Sequence, residues 1–332
     1  MKKIYCNSCG TVIAKDAIVY CEQCGVPLHN TCSNHCMECG KVLCDTCSIE
    51  NNFKCEDCYK PSNMFPVIRR SHLEQYQSCP YSVYLQLVTG INPPMGKAAQ
   101  LGVIVHELID EKHPYEEVFT ELENRVHKFN SEVPEKDMEY SHITDELIEV
   151  GKTCLDNYYK IKHYFPEDAY SEYNIKFDID SELPMISCTL DRIIEKDGRL
   201  EVHDWKTGKP LTGQKLISDL QPPLYLYAVY KKMGKMPDSF TLHYLRTGKD
   251  IVYNKVDDKT YQVRTTRSTY TLDIEEALRR TKEILRGIAD NKFNMPPEGS
   301  DWRCKRFCWF GLSGTCQGSQ DEQWKALNRM YG

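Results

Sequence analysis

Long apolar runs are missing from this chain of 332 residues, and none approaches the ~20 residues that a membrane-spanning helix needs. The opening Met1-Lys2-Lys3-Ile4-Tyr5-Cys6 has basic residues but no apolar stretch behind them, so no secretory signal is expected. Basic excess is missing too. Against 48 acidic residues stand 42 Lys and Arg, a formal charge of -6, which argues against a generally basic nucleic-acid coat and leaves only a local positive groove. There is no low-complexity tract, and no internal repeat outside the cysteine pairs. Residues 1–60 carry little aliphatic content for a core of their own.

What is abundant is cysteine. The chain has 17, and 11 of them fall within the first 58 residues. In the absence of a secretory signal, such dense pairs read as metal ligands rather than disulfides, and the expected compartment is the reducing cytoplasm. The pairs are Cys6/Cys9, Cys21/Cys24, Cys36/Cys39, Cys44/Cys47 and Cys55/Cys58, with Cys32 left over and His29 three residues before it. Eleven cysteines and His29 make twelve ligands, enough for about three tetrahedral zinc sites. His35 is the competing twelfth ligand but sits outside the rhythm of pairs. The order resembles interleaved treble-clef or RING-like zinc modules. The spacing leaves open which pair shares which ion, and whether the module meets DNA or a protein.

Composition divides the chain into a Cys-rich domain over 1–60, a proline-containing linker over 61–67, and an α/β domain over 68–332. Ser71-His72-Leu73-Glu74 has the pattern of a capping box. Helical periodicity follows to about residue 88 with a break at Cys79-Pro80, then over 97–111 and most of 114–163. Short β-prone runs are expected at 173–179, 186–194, 200–205, 240–245 and 251–256. Helices are expected near 220–232 and 274–289.

The stretch from Asp191 to Lys206 contains two β-prone runs around Asp197-Gly198, a strong hairpin signal. With these two residues as the loop, paired positions sum to 395, setting Asp191 opposite Asp204, with Lys206 on the same face. Carboxylates so opposed repel one another at Cβ separations of roughly 4.5–5.5 Å. A divalent cation with oxygen ligands, Mg²⁺ or Mn²⁺, would remove that conflict. Taken alone, the hairpin serves equally as a solvated charged face.

Asp191-Arg192-Ile193 followed by Asp204-Trp205-Lys206-Thr207-Gly208-Lys209 resembles the core of the PD-(D/E)xK nuclease superfamily, and more narrowly its RecB-like branch, which includes iron–sulfur nucleases of CRISPR adaptation and exonuclease V type. Ser71-x-Leu73-x-x-Tyr76-x-x-Cys79-Pro80, Gly102-x-x-x-His106 and Gln221-x-x-x-Tyr225 resemble further motifs of that branch, in its order, over about residues 68–318. The resemblance implies a restriction-endonuclease-like α/β core, a central mixed sheet flanked by helices, behind the multi-zinc domain. It implies that His106, Asp191 and Asp204 ligate the catalytic metal and that Lys206 acts on the attacking water. Gln221 and Tyr225 share a helix face and either steer substrate or pack on the sheet. Cys304, Cys308 and Cys316 form a late triplet that Cys79 completes to four. This set resembles the [4Fe–4S] ligands of such nucleases, with a four-cysteine zinc site as the alternative. Cys154 and Cys188 read as core residues.

The expected function is therefore a Mg²⁺- or Mn²⁺-dependent deoxyribonuclease, an exonuclease on single strands or DNA ends in recombination, repair or replication. Its expected partner is DNA, with a further protein partner open for the zinc domain and no membrane. Two other classes compete, a zinc-dependent adaptor with an inactive nuclease fold and a RING-like ubiquitin-type ligase.

Overall fold

The computed structural model describes residues 4–8, 11–14, 16–22, 24–36, 40–44, 47, 65–167, 169–294, 308–313 and 315–316. The chain divides into two compact units, Met1–Met64 and Phe65–Gly332. Of the cysteine positions discussed above, Cys9, Cys39, Cys55, Cys58 and Cys304 lie outside the described residues.

In the first unit β1 (Ile18–Tyr20) pairs antiparallel with β2 (Pro27–His29), and β3 (Asn34–His35) with β4 (Val42–Leu43). Its small core is Ile13, Leu28 and Leu43 packed among Cys6, Cys21, Cys36, Cys44 and Cys47. Thiols occupy the places that aliphatic side chains fill in a larger domain, as the poverty of apolar residues there requires.

In the second unit the described residues form a mixed eight-stranded sheet, in the order β12-β11-β10-β9-β8-β7-β5, with β6 pairing the outer side of β7. The strands are β5 (Val67–Arg69), β6 (Tyr170–Phe177), β7 (Met185–Lys196), β8 (Arg199–Lys206), β9 (Ser239–Tyr244), β10 (Lys249–Lys255), β11 (Thr260–Arg264) and β12 (Thr269–Asp273). Helices α1 (Arg70–Ser78) and α2 (Pro80–Leu87) meet at Cys79-Pro80, where a proline starts a helix but cannot continue one. They are followed by α3 (Lys97–Asp110), α4 (Tyr115–Glu132), α5 (Asp145–Ile161), α6 (Gln221–Met233) and α7 (Ile274–Ala289).

Two apolar clusters sandwich the sheet. Leu101, Val105, Leu122 and Leu155 from α3, α4 and α5 gather with Trp205 and Leu245 in one. Leu73, Leu224, Ala228 and Leu285 from α1, α6 and α7 pack with Ile186, Val202, Phe240 and Tyr253 in the other. The burial of β7 records this: it alternates over Met185–Leu190, then runs continuously buried through Ile194. A strand covered on both faces loses its period of two.

The capping-box expectation at Ser71 is not met. The cap is Arg69, and no side chain bonds the first turn, because β5 runs directly into α1. Strands β5, β11 and β12 lie outside the segments expected as strands from the sequence.

Candidate metal centre and active-site cleft

The β7–β8 hairpin forms with the register 192↔203, 193↔202, 194↔201, 195↔200 and 196↔199, so every pair sums to 395. Asp197 and Gly198 both adopt positive φ, +52° and +76°, as a two-residue type I′ loop demands. Continued one step, this register sets Asp191 opposite Asp204.

The two carboxylates have separate partners. Asp191 Oδ2 accepts a 2.6 Å hydrogen bond from the Trp205 main-chain N–H, and Oδ1 lies 3.5 Å from His106 Nδ1. Asp204 Oδ1 accepts a 2.6 Å bond from Gln221 Nε2, and Oδ2 meets Lys206 Nζ at 2.6 Å. Asp204 is 2% exposed, so burial pushes its carboxyl up and Asp191 adds to this, while Lys206 opposes both. Burial also works against a charged Asp191, but His106, Lys206 and the Trp205 N–H outweigh it and hold that carboxyl below the usual range. Burial likewise opposes the charged form of His106, yet the adjoining Asp191 carboxylate lifts the imidazole to about 9. Opposite charges within a few ångströms dominate desolvation here.

His106 reaches the site from α3. Gly102, one turn earlier, keeps that helix close to the strand end: a Cβ there would stand 3.2 Å from Thr207 Oγ1. Ser171 Oγ donates to Asp110 and ties β6 to the same helix. Beside this tie stands Glu172, which the sequence reading left out. The β6–β7 register places it opposite Asp191, and its φ of +44° lies in the left-handed region that side-chain-bearing residues avoid. Donor atoms of His106, Glu172 and Asp191 all lie within 4.8 Å of one another. One imidazole and two carboxylates are a donor set suited to Mg²⁺ or Mn²⁺. They line a cleft of about 750 Å³ together with Arg70, Lys206 and Thr207.

Gln221 and Tyr225 sit one above the other on α6. Gln221 is spent on Asp204, and the Tyr225 ring lies under the Arg70 guanidinium, 5.6 Å from its centroid. Gln221 is thus a positioning residue for a buried carboxylate.

The cysteines gather in sets. Cys21, Cys24, Cys44 and Cys47 offer four ligand atoms within 4.8 Å of one another, and Cys6, His29 and Cys32 offer three. His29 therefore joins cysteines, whereas His35 Nδ1 lies 3.2 Å from Gly40 O. In the second unit Cys79, Cys308 and Cys316 pack against one small cluster of Tyr81, Leu85 and Phe310. Cys154 and Cys188 are buried in the two large clusters.

With a mixed sheet between two helical layers and a carboxylate, carboxylate, lysine hairpin at a cleft, the second unit has the features of a nuclease core. The chain belongs to the PD-(D/E)XK nuclease superfamily, whose family model matches residues 70–312. Among solved structures the chain is similar to SSO0001 at 15% sequence identity and a TM-score of 0.33, with 75% of this chain and 85% of that one covered. No curated protein matches it.

Proposed function

We propose that this protein is a Mg²⁺- or Mn²⁺-dependent deoxyribonuclease that hydrolyses phosphodiesters of single-stranded DNA or DNA ends. The observation that carries this reading is the meeting of His106, Glu172 and Asp191 in one cleft with Lys206, on the strand-end geometry of a nuclease-superfamily core. His106, Glu172 and Asp191 would hold the ion, with Asp204 beside them on the facing strand. A bound divalent cation supplies charge neutralisation at the phosphate and an acidified water.

The remaining work falls to the chain. The Trp205 N–H fixes the rotamer of Asp191, and Gln221 fixes that of Asp204. Lys206, held at 2.6 Å by Asp204, keeps its ammonium group at the cleft wall, where it can orient a water and offset negative charge gathering on the phosphate. The zinc reading of the first unit and a metal held by Cys79, Cys304, Cys308 and Cys316, iron–sulfur by preference, belong to the same proposal. Both are structural ties rather than parts of the reaction.

The test is incubation of the purified protein with end-labelled single- and double-stranded DNA and Mn²⁺, beside Asp204→Ala and Lys206→Ala. Cleavage by the wild type and a loss of about 100-fold or more in each variant are expected. Equal cleavage by all three, or none by the metal-loaded wild type, would remove the enzyme reading and leave an adaptor with an inactive nuclease fold.

A further inference from the structure

A second cavity, of about 680 Å³, opens on the exposed side of β5, β6 and β7. It shares two lining residues, Arg70 and Thr189, with the metal cleft, so the two spaces adjoin. Its make-up differs sharply from that of the cleft. The cleft is rich in carboxylates, whereas this cavity is lined by Arg69, Arg70 and Lys176 with Ser187, Asn174 and Thr189, and by no acidic residue.

Sheet register explains the gathering. Arg69 on β5 and Lys176 on β6 both pair with Ser187 of β7, so two cations flank one hydroxyl across three strands. One step nearer the metal centre, Asn174 pairs with Thr189, and its Nδ2 lies 3.1 Å from both Ser187 Oγ and Thr189 Oγ1. The next step brings Glu172 and Asp191. Among the described residues, neither Arg69 nor Lys176 has an ion-pair partner within salt-bridge distance. The two cations stand on either side of β7, about 10 Å apart, and both face the same cavity.

We infer that this cavity is a phosphate-binding subsite that grips the backbone of a single DNA strand while a neighbouring phosphodiester lies at the metal centre. The inference rests on the nuclease reading above and deepens it. Ser187 and Asp191 are four residues apart on one strand, about 13 Å at the usual rise, which an extended strand spans in roughly two nucleotides. Across β5, β7 and β6 the row is about 10 Å wide, the width of one nucleic-acid strand rather than of a duplex. Arginine forks onto a phosphate and lysine adds a point charge, while the Ser, Thr and Asn side chains supply neutral hydrogen bonds to its oxygens. No base-specific group is needed, so this grip sets register without reading sequence.

The test uses the full-length protein and a fluorescein-labelled oligo-dT. Binding is followed by anisotropy with Ca²⁺ in place of Mn²⁺, and cleavage is followed with Mn²⁺. In the double variant Arg69→Ala/Lys176→Ala, affinity is expected to fall by about 10-fold or more, the worth of one charged hydrogen bond. The slope of log K against log salt should become shallower by about 0.7, one phosphate contact on a single strand. KM should rise in step while kcat at saturation stays unchanged, and Arg69→Lys/Lys176→Arg should restore most of the affinity. Wild-type affinity and slope in the double alanine variant would overturn the subsite, as would a fall in kcat at constant KM. In both cases the wild type still cleaves and the nuclease reading stands. A wild type that neither binds nor cleaves the oligonucleotide overturns both.

Discussion

At the scale of single residues, the cleft works by giving each buried carboxylate its own set of partners. Asp191 and Asp204 face each other across a hairpin, and each is held by its own partners, one by the Trp205 N–H and His106 and the other by Gln221 and Lys206. Glu172 is the residue with an unfavourable backbone, and a left-handed φ inside a strand costs about 1–3 kcal/mol. An ion ligated there by Glu172, His106 and Asp191 would offset that cost. Glu172→Gln should therefore weaken Mn²⁺ binding about 10-fold or more, read by titration calorimetry or by the Mn²⁺ magnetic resonance signal. Unchanged affinity would reduce Glu172 to a bystander. No sequence signal marked this residue clearly, because its spacing from Asp191 is set by the β6–β7 pairing across an irregular connection rather than by a motif.

At the scale of elements, three strands are bound through a chain of polar groups, two buried histidines and an exposed aspartate. His203 on β8 meets His243 on β9 at 3.0 Å, and His243 Nδ1 meets Asp250 on β10 at 2.8 Å. Phe165 covers both rings edge-on, Arg192 lies beside His203 on β7, and Glu201 Oε2 is 3.7 Å from His203 Nε2. Burial, then the positive field of His243, holds His203 down to about 3 against its usual 6.5. Since the unfolded chain binds this proton more readily, the native state has its full stability above pH 6.5 and loses it as pH falls toward 3. The loss is about 1.4 kcal/mol per pH unit at most, or about 3–5 °C of Tm in a domain of this size. Thermal melts at pH 7.5 and 5.5 should show this drop, and His203→Gln should flatten it. A slope that is the same in the variant would assign the acid sensitivity elsewhere.

At the scale of the whole molecule, two units solve the problem of a core differently. Phe65–Gly332 buries two large apolar clusters against a sheet, while Met1–Met64 has a few aliphatic side chains among thiols. The sets Cys21/Cys24/Cys44/Cys47 and Cys6/His29/Cys32 interleave along the chain, so each ion would close a loop that contains part of the other. Stripping zinc with a strong chelator should then release both sets together, read as one cooperative phase of thiol exposure, while the helical circular dichroism of the second unit persists. Metal analysis before stripping should find zinc. A brown colour with absorbance at about 400 nm would assign iron–sulfur to Cys79, Cys304, Cys308 and Cys316. A colourless protein with additional zinc would assign that site to zinc instead. Independent release of the two thiol sets would contradict the interleaved folding.

Local chemistry was legible in the sequence because it is carried by neighbours in the chain. The Asp197-Gly198 turn sets the hairpin register within a few residues, Cys79-Pro80 divides two helices, and amphipathic periods mark α3 and α7 close to their observed bounds. The Gly102 and His106 spacing likewise puts both on one turn of α3. Strands β5, β11 and β12 were not legible, since three to five residues have too little pattern of their own and become strands only by pairing. The same holds for the cleft. That Gln221 serves Asp204, that Glu172 joins His106 and Asp191, and that Arg69 and Lys176 flank Ser187 were decided by contacts between distant segments. Residue type and short-range spacing select the chemistry available to this chain. Sheet pairing and helix packing select which of those groups meet.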